Sequence, residues 1–549
     1  MVVKRAKVSC FLALLLILAV RSGAQEYNSV SLDHIAYEII EIGIMRGMIR
    51  PPSAIKPWPV HTVKQKLQEM AENSANILSA KELDMVTRTL NSFERKVGFE
   101  PRDGRYWAKN GNLSFETGFG WESAFSVESS GALLSSVNMA KIYAGGDLAH
   151  FLSWNIAALG GFLYIERKEQ GEAPPVTYAI PAIFPYTFSK QWDGGVLSLR
   201  DPGTYIGWPD DPSLAYGVEA ELNGVFFNEH LHLRLGRLRH DWGSTSGTSL
   251  FLNAHARPFA ALEGTVSPLS WLHISFLAGG LEQFRDDDYA TNDRLFTNML
   301  TAAHIEFNPL KYIYFDIGAA MVVFKEFNSG IFTNFEVRLP GLLSFWASLF
   351  VDRVESPFEN FFLMAGNSYA YQAGIKALFH WLPFSAFTVS YTKIEPYCYS
   401  AFLNGGESLG YYLSPNSDEL LVRFESMFFP DLKTHIQFQM IRHGADYGDM
   451  AIGGSSRYDA WDNSRSTKYF LMDGVYQWDN IIKLGGSYNF RAVGIPFSLF
   501  TEIGLVITRF TINGTAGVGN EANHEPLNND VYSDRNSFIF SIGFRLFPH

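Results

Sequence analysis

The sequence predicts an all-β transmembrane barrel of about 18 antiparallel strands, preceded by a small N-terminal α-helical module. Apolar residues switch from a helical period to a two-residue period near residue 111. Several alternating runs hold roughly 10 residues, the length a tilted strand needs to cross a bilayer. Short turns also alternate with long polar connections, as they do on the two rims of outer-membrane barrels.

Residues 1–24 read as a secretory signal peptide, with Lys4, Arg5 and Lys7 ahead of an apolar stretch from Cys10 to Val20. Ser22-Gly23-Ala24 supplies small residues before a mature start at Gln25. The apolar stretch is too short to span a bilayer core, and Cys10 lies inside it rather than at a lipidation position. Removing Lys4, Arg5, Lys7 and Arg21 leaves 40 basic against 56 acidic residues, a net charge of −16. An acidic chain repels nucleic acid, so that partner class is set aside. Only Cys398 remains, which excludes an intramolecular disulfide. Aromatics reach 15% while no later apolar run has the length of a membrane helix, so strands must do any spanning.

Residues 25–103 form the expected helical module, placed in the periplasm. Leu32 to Ile44 sets Ile35, Ile39 and Ile42 on one face, and a Pro-rich break from Pro51 to Pro59 follows. A second helix carries Val60, Val63, Leu67 and Met70. The third opens on Ser79-Ala80-Lys81-Glu82, a capping box, and continues with Leu83, Val86, Leu90, Phe93 and Val97. Three short helices make a thin core alone, so they are expected to pack together and against the end of the barrel.

Residues 104–549 form the expected barrel. In 497–507, Phe497, Leu499, Thr501, Ile503, Leu505 and Ile507 alternate with Ser498, Phe500, Glu502, Gly504 and Val506. Residues 432–440 and 230–237 alternate likewise. Tight turns are expected at Gly145-Gly146, Asn228-Glu229, Ser267-Pro268, Asn308-Pro309, Pro340-Gly341, Leu382-Pro383, Pro430-Asp431 and Gly494-Ile495. Long connections at 167–213, 240–257, 396–417, 445–467 and 513–535 fall between them. Eight turns join sixteen strands, and one more at each end gives 18. A soluble sandwich also alternates, but its strands need no such length. The final run from Ser537 to Leu546 resembles the terminal segment that barrel-assembly machinery recognises, although Pro548-His549 follows Phe547. Outer-membrane lipid and that machinery are therefore expected partners.

No catalytic motif is present: no His-Glu-x-x-His, no cysteine pair, no Gly-x-Ser-x-Gly and no phosphate-binding glycine loop. Gly243-Ser244-Thr245-Ser246-Gly247 has the wrong serine spacing for a nucleophile elbow. Asp286-Asp287-Asp288 has the composition of a calcium ligand set but reads more simply as a solvated loop. No cofactor or metal is expected.

The segment 235–268 carries more information. It runs from Gly236 through Trp242-Gly243 and Ser249-Leu250 to Ala256-Arg257-Pro258. With Trp58-Pro59 opening a helix in an N-terminal module, it resembles the capsule-assembly (Wzi) family of outer-membrane proteins. In that family a glycine-led strand ends in a Trp-Gly loop followed by a Ser-Leu pair and an Ala-Arg-Pro. The family's later loop motifs have only the fragment Asp473-Gly474-Val475-Tyr476 here. The resemblance implies a periplasmic helical bundle with an 18-stranded barrel closed by helices and loops. It also implies a non-enzymatic, lectin-like role holding capsular polysaccharide at the bacterial cell surface.

The loop composition suits that role. Trp192, Tyr205 and Trp208 stand among Asp193, Asp201, Asp210 and Asp211, and Tyr458 and Trp461 stand beside Asp462. Aromatic faces stack on sugar C–H surfaces while carboxylates accept hydroxyl hydrogen bonds. Candidate polysaccharide-binding residues are therefore Trp192, Tyr205, Trp208, Asp241, Trp242, Arg257, Tyr458 and Trp461. Loop packing explains the aromatics too, and an Asp241–Arg257 pair stapling the lumen explains those two residues equally well. The alternative function is a porin-like diffusion or transport channel, because eighteen strands can enclose an aqueous lumen. A surface adhesin is a weaker third reading.

Overall fold

A computed structural model describes residues 26–75, 77–100, 104–129, 133–166, 195–198, 213–227, 229–244, 246–254, 256–283, 295–324, 328–353, 367–399, 401–404, 407–429, 431–445, 474–492, 495–513 and 534–547. Among the described residues three helices precede a closed barrel of eighteen antiparallel strands. The helices are α1 (Ala36–Met45), α2 (Val60–Glu72) and α3 (Ala80–Ser92), none long and apolar enough to cross a membrane.

The first strands are β1 (Leu113–Glu128), β2 (Leu133–Ala149), β3 (Leu152–Glu166), β4 (Ser213–Phe226), β5 (Leu231–Leu238) and β6 (Phe259–Leu269). There follow β7 (Leu272–Gln283), β8 (Leu295–Leu310), β9 (Ile313–Phe324), β10 (Asn328–Leu339), β11 (Leu343–Arg353) and β12 (Ser368–Phe379). The last six are β13 (Ser385–Ile394), β14 (Ser417–Phe429), β15 (Leu432–Ala445), β16 (Gly474–Ala492), β17 (Ile495–Asn513) and β18 (Arg535–Leu546). Each pairs with the next, and β18 returns to β1 with Leu546 opposite Trp121 and Ile539 opposite Glu128.

Alternation sorts the side chains. Ile274, Phe276, Ile317, Phe335, Ile503 and Leu505 are exposed on the outer face, whereas Glu263, Ser275, His304, Asp316 and Glu336 are buried on the inner one. The outer set faces lipid, where unpaired backbone groups would each cost several kcal/mol and closure removes them.

The eight tight turns all fall on one rim, but three lie further along than expected. Gly145-Gly146 sits inside β2, and its turn comes after Ala149. A Cβ on Gly146 would lie 2.0 Å from the Ser114 carbonyl oxygen, so this glycine marks a close backbone approach and not a turn. Pro268 and Pro309 lie within β6 and β8, where the register shifts between Val266 and Leu269 and between Phe307 and Leu310. Such irregularities absorb a residue that cannot donate to the ladder. The other rim is uneven, because β1 and β2, and β9 and β10, are separated by only a few residues.

A hairpin of Gly98–Glu100 and Arg105–Asn110 extends the sheet beside the closing seam. Arg105–Asn110 pairs with Leu113–Gly118 of β1, directly below the stretch that β18 occupies. Gly104 has φ +65, and a Cβ there would lie 2.7 Å from the Phe547 ring.

The helices close the short-turn mouth, and α1 is apolar except for Glu38 and Glu41. Eight of its residues, including Tyr37, Ile39, Ile40, Ile42 and Met45, are buried. A helix with so little polar surface must be enclosed, and α1 shares a core with Leu378, Phe384, Ala386 and Met427 of the barrel. Its two carboxylates reach the wall: Glu41 bonds Lys376 at 2.8 Å, and Glu38 pairs with Lys433. The third helix ends at Ser92, so Val97 lies beyond it and is exposed, whereas Met85 and Thr89 are buried.

Glu82 ties these parts together. It completes the capping box with Ser79, bonds Arg46 at 2.7 Å and accepts the Phe384 backbone N–H at 3.1 Å. Burial pushes its carboxyl up, but Arg46 and the backbone donors of Ser79 and Phe384 outweigh burial and hold it below the usual range. A depressed folded pKa gives stability that is present above the unfolded carboxylate range and lost as pH falls through the folded value. Glu82→Gln should therefore weaken docking of the module by about 2–4 kcal/mol at neutral pH. Limited proteolysis of refolded protein should release the module faster, with the difference from the parent shrinking as pH falls below 4–5. Equal cleavage rates at pH 7 would refute this role.

Candidate functional site

The loop between β5 and β6 turns back into the lumen. Its Asp241–Trp242 pairs with Ile55–Lys56, a segment that arrives from the short-turn mouth. Arg234 holds the junction. It donates to the Pro57 carbonyl at 2.8 Å and to Ser29 Oγ at 3.1 Å, and it pairs with Glu263, which also bonds His240 at 2.8 Å. Ser53 Oγ and the Ala54 N–H donate to Glu306 at 2.6 and 2.7 Å. The N-terminal segment is thus tied to inward carboxylates of the wall.

The loop between β13 and β14 also folds inward. Tyr399 donates through its hydroxyl to the Leu250 carbonyl at 2.7 Å, and the Asn253 N–H donates to the Leu409 carbonyl at 2.8 Å. A Cβ on Gly410 would stand 2.3 Å from the Leu250 oxygen, so only glycine lets the two loops approach. Tyr397 and Tyr399 adopt φ 64 and 67, conformations unfavourable for aromatic residues that the surrounding packing must enforce.

Aromatic rings join the loops to the wall. Trp242 stacks on His304 with centroids 5.7 Å apart, Phe251 on Phe332 at 4.5 Å, and Phe350 on Tyr399 at 5.3 Å. Phe402 meets Phe350 edge-on. Leu250, Leu252, Leu409, Leu413 and Cys398 fill the spaces between them. Where an aqueous porin keeps water, this lumen holds a hydrophobic core.

This packing corrects the expectation for Trp242. It is 1% exposed, with rings of His304, Phe251 and Phe332 around it, so it offers no face to a sugar. Asp241 pairs with Lys56 at 3.3 Å and not with Arg257. Arg257 is half-buried, and its carbonyl accepts from Asn404 across the two loops. Trp192, Tyr205, Trp208, Tyr458 and Trp461 lie outside the described residues, as does Asp286-Asp287-Asp288. Among the described residues no group of three or more His, Cys, Asp or Glu could hold a metal.

A cavity of about 800 Å³ remains between the module and the wall of β1 to β4. Ion pairs line it: Arg95 with Glu116 at 2.8 Å, and Lys141 with Glu219 on the wall at 3.7 Å. Asn28, Ser31 and Tyr143 add neutral polar groups.

Sequence reasoning missed the β13–β14 loop. Its signal was visible, because Tyr397, Tyr399, Phe402, Leu409, Tyr411 and Leu413 are more apolar than a solvated loop requires.

No family model matches the chain, and no curated protein matches it in sequence. Among solved structures, Wzi, an outer-membrane protein involved in group 1 capsule assembly in Escherichia coli and described as a carbohydrate-binding β-barrel, aligns with 96% of this chain and 99% of its own. The TM-score is 0.53 at 12% identity, which makes the fold Wzi-like. The Pseudomonas aeruginosa proteins OpdK, solved with vanillate, and OprD each give a TM-score of 0.42. They share 12% and 9% identity, cover 78% and 79% of this chain, and are themselves covered over 98% and 95%. The likeness to Wzi is one of fold, a closed barrel preceded by helices.

Trp242→Ala should cost about 3–5 kcal/mol, since its cavity opens in a packed core. Near-UV circular dichroism during urea titration should show the lumen packing melting earlier, with heat-modifiable gel mobility retained. An unchanged midpoint would mean that Trp242 does not bear on this packing.

Proposed function

We propose that this protein is a non-enzymatic outer-membrane barrel of the capsule-assembly type that holds surface polysaccharide on its long-loop rim. The observation that carries the reading is the alignment of the whole chain, helices and barrel together, with a carbohydrate-binding barrel. The lumen packing supports it, because loops joined by Trp242, Phe251 and Tyr399 leave little path for free diffusion. In this reading residues 1–24 are removed as a signal peptide, residues 25–103 stay in the periplasm, and the long connections face outward. The sugar contacts fall to Trp192, Tyr205, Trp208, Tyr458 and Trp461, whose rings suit stacking.

Refolded protein should bind glycan from its native envelope saturably. Trp192→Ala, Trp208→Ala and Trp461→Ala should each weaken binding about 5–10-fold, the effect of losing one stacked ring. Absence of saturable binding to every native envelope glycan would overturn the reading.

The charge-lined cavity beside the module favours one second reading, a channel along the β1–β4 wall. Planar-bilayer recording separates the two. An anchor gives no steady open-pore current. Steady current that grows when residues 25–100 are deleted would establish the channel.

A further inference from the structure

One register row on the lipid-facing side differs from every row beneath it. Across β12 to β17 the directly paired residues are Tyr371, Lys393, Asp418, Arg442, Trp478 and Arg509. Their neighbours toward the lumen point the other way: Ser417 bonds His443, and Thr508 bonds Asp479. Four residues nearer the short-turn rim, the row reads Val389, Val422, Phe438, Ile482 and Leu505. The outward face thus passes from wholly apolar to charged and amphipathic aromatic.

Depth explains where the change occurs. Arg442 stands ten residues beyond Leu432, which opens its strand at a short turn. At about 3.3 Å per residue and a tilt near 40°, that is ~25 Å along the barrel axis, the height of the apolar band. A cation costs about 2–4 kcal/mol on the lipid face at the midplane but little at the interface.

The row is also built. Asp418 is 2% exposed although it faces outward. It accepts from Arg442 Nε at 2.8 Å, from a second Arg442 nitrogen, and from the Tyr391 hydroxyl at 2.8 Å. Arg442 lies over Trp478, with its Cζ 5.1 Å from the ring centroid. The guanidinium is therefore fixed on one edge and one face. Lys393 lies 5.9 Å from the Tyr371 ring centroid and pairs with Glu395 at 2.6 Å. Arg509 is 3.5 Å from Asp534 and bonds Asn536 at 3.1 Å. Lys393, Arg442 and Arg509 stand on every second strand, a spacing of about 10 Å.

We propose that this row binds the phosphate groups of an outer-leaflet glycolipid, with Arg442 as the fixed central donor and Lys393 and Arg509 flanking it. Guanidinium and ammonium groups donate to phosphate oxygens. The rings of Tyr371 and Trp478 lie where amphipathic aromatics favour the headgroup layer. A diphosphorylated disaccharide headgroup is long enough to lay its phosphates on two of the three cations. The assignment to the outer leaflet rests on the orientation proposed above.

The test is native mass spectrometry of the full chain refolded in neutral detergent, with diphosphorylated lipid A, its dephosphorylated form and phosphatidylcholine as probes. Diphosphorylated lipid A should be retained preferentially. The double variant Lys393→Gln/Arg509→Gln should lose at least about tenfold in affinity for it, with heat-modifiable mobility unchanged. Asp418→Asn, which frees Arg442, should weaken retention independently. Equal retention of the dephosphorylated lipid, or parental affinity in the double variant, overturns the proposal. Self-association of the parent that the double variant abolishes overturns it too, since the row would then contact a second copy. The detergent assay involves no surface glycan and no membrane orientation, so its failure leaves the polysaccharide reading standing.

Discussion

Backbone satisfaction in lipid is the constraint from which the rest of this structure follows. A sheet with free edges cannot sit in hydrocarbon, so the strands close, with β18 pairing onto β1. Eighteen strands enclose more space than wall side chains can fill. The protein fills it with its own chain. Two loops descend from one rim and an N-terminal segment rises from the other, meeting where Ile55–Lys56 pairs with Asp241–Trp242. Wall polarity follows from that filling. Inward carboxylates such as Glu221 and Glu306 bond the incoming backbone and side chains, Glu263 holds the Arg234 that does the same, and inward rings such as Phe332 and Phe350 receive the apolar parts of the loops.

Strand period, tight turns and the capping box of α3 were legible in sequence because each is a local property. The alternation in 497–507 needs no partner to be seen, and Ser79 with Glu82 forms a self-contained signature. The turn at Gly145-Gly146 was misplaced because glycine has two uses, and the contact that distinguishes them, from Gly146, lies 32 residues away at Ser114. The helix α1 read as amphipathic because its one polar use, Glu38 and Glu41 against Lys433 and Lys376, depends on enclosure by the barrel. Nothing in a linear stretch announces that a helix will be inserted into a mouth.

The candidate site was less legible for a related reason. Trp242 in a polar loop suggested an exposed stacking platform, because long loops at a barrel rim are normally solvated. Whether such a loop points outward or inward depends on what waits in the lumen, here His304, Phe332 and the β13–β14 loop. The same blindness hid the row from Tyr371 to Arg509. Its members are scattered over six strands and meet only through register. Sequence spacing holds no trace of that adjacency until the turns are placed.

The hairpin beside the seam has a consequence for how the wall closes. The edge of β1 below Trp121 is already occupied by Arg105–Asn110, and the Gly104 carbonyl accepts from the Phe119 N–H. A two-residue slide of β18 toward that rim would keep every side chain on its proper face, so alternation alone cannot forbid it. It would drive Leu546 and Phe547 into the hairpin. The extra strand thus acts as a mechanical stop, so the last strand to zip has a single resting place.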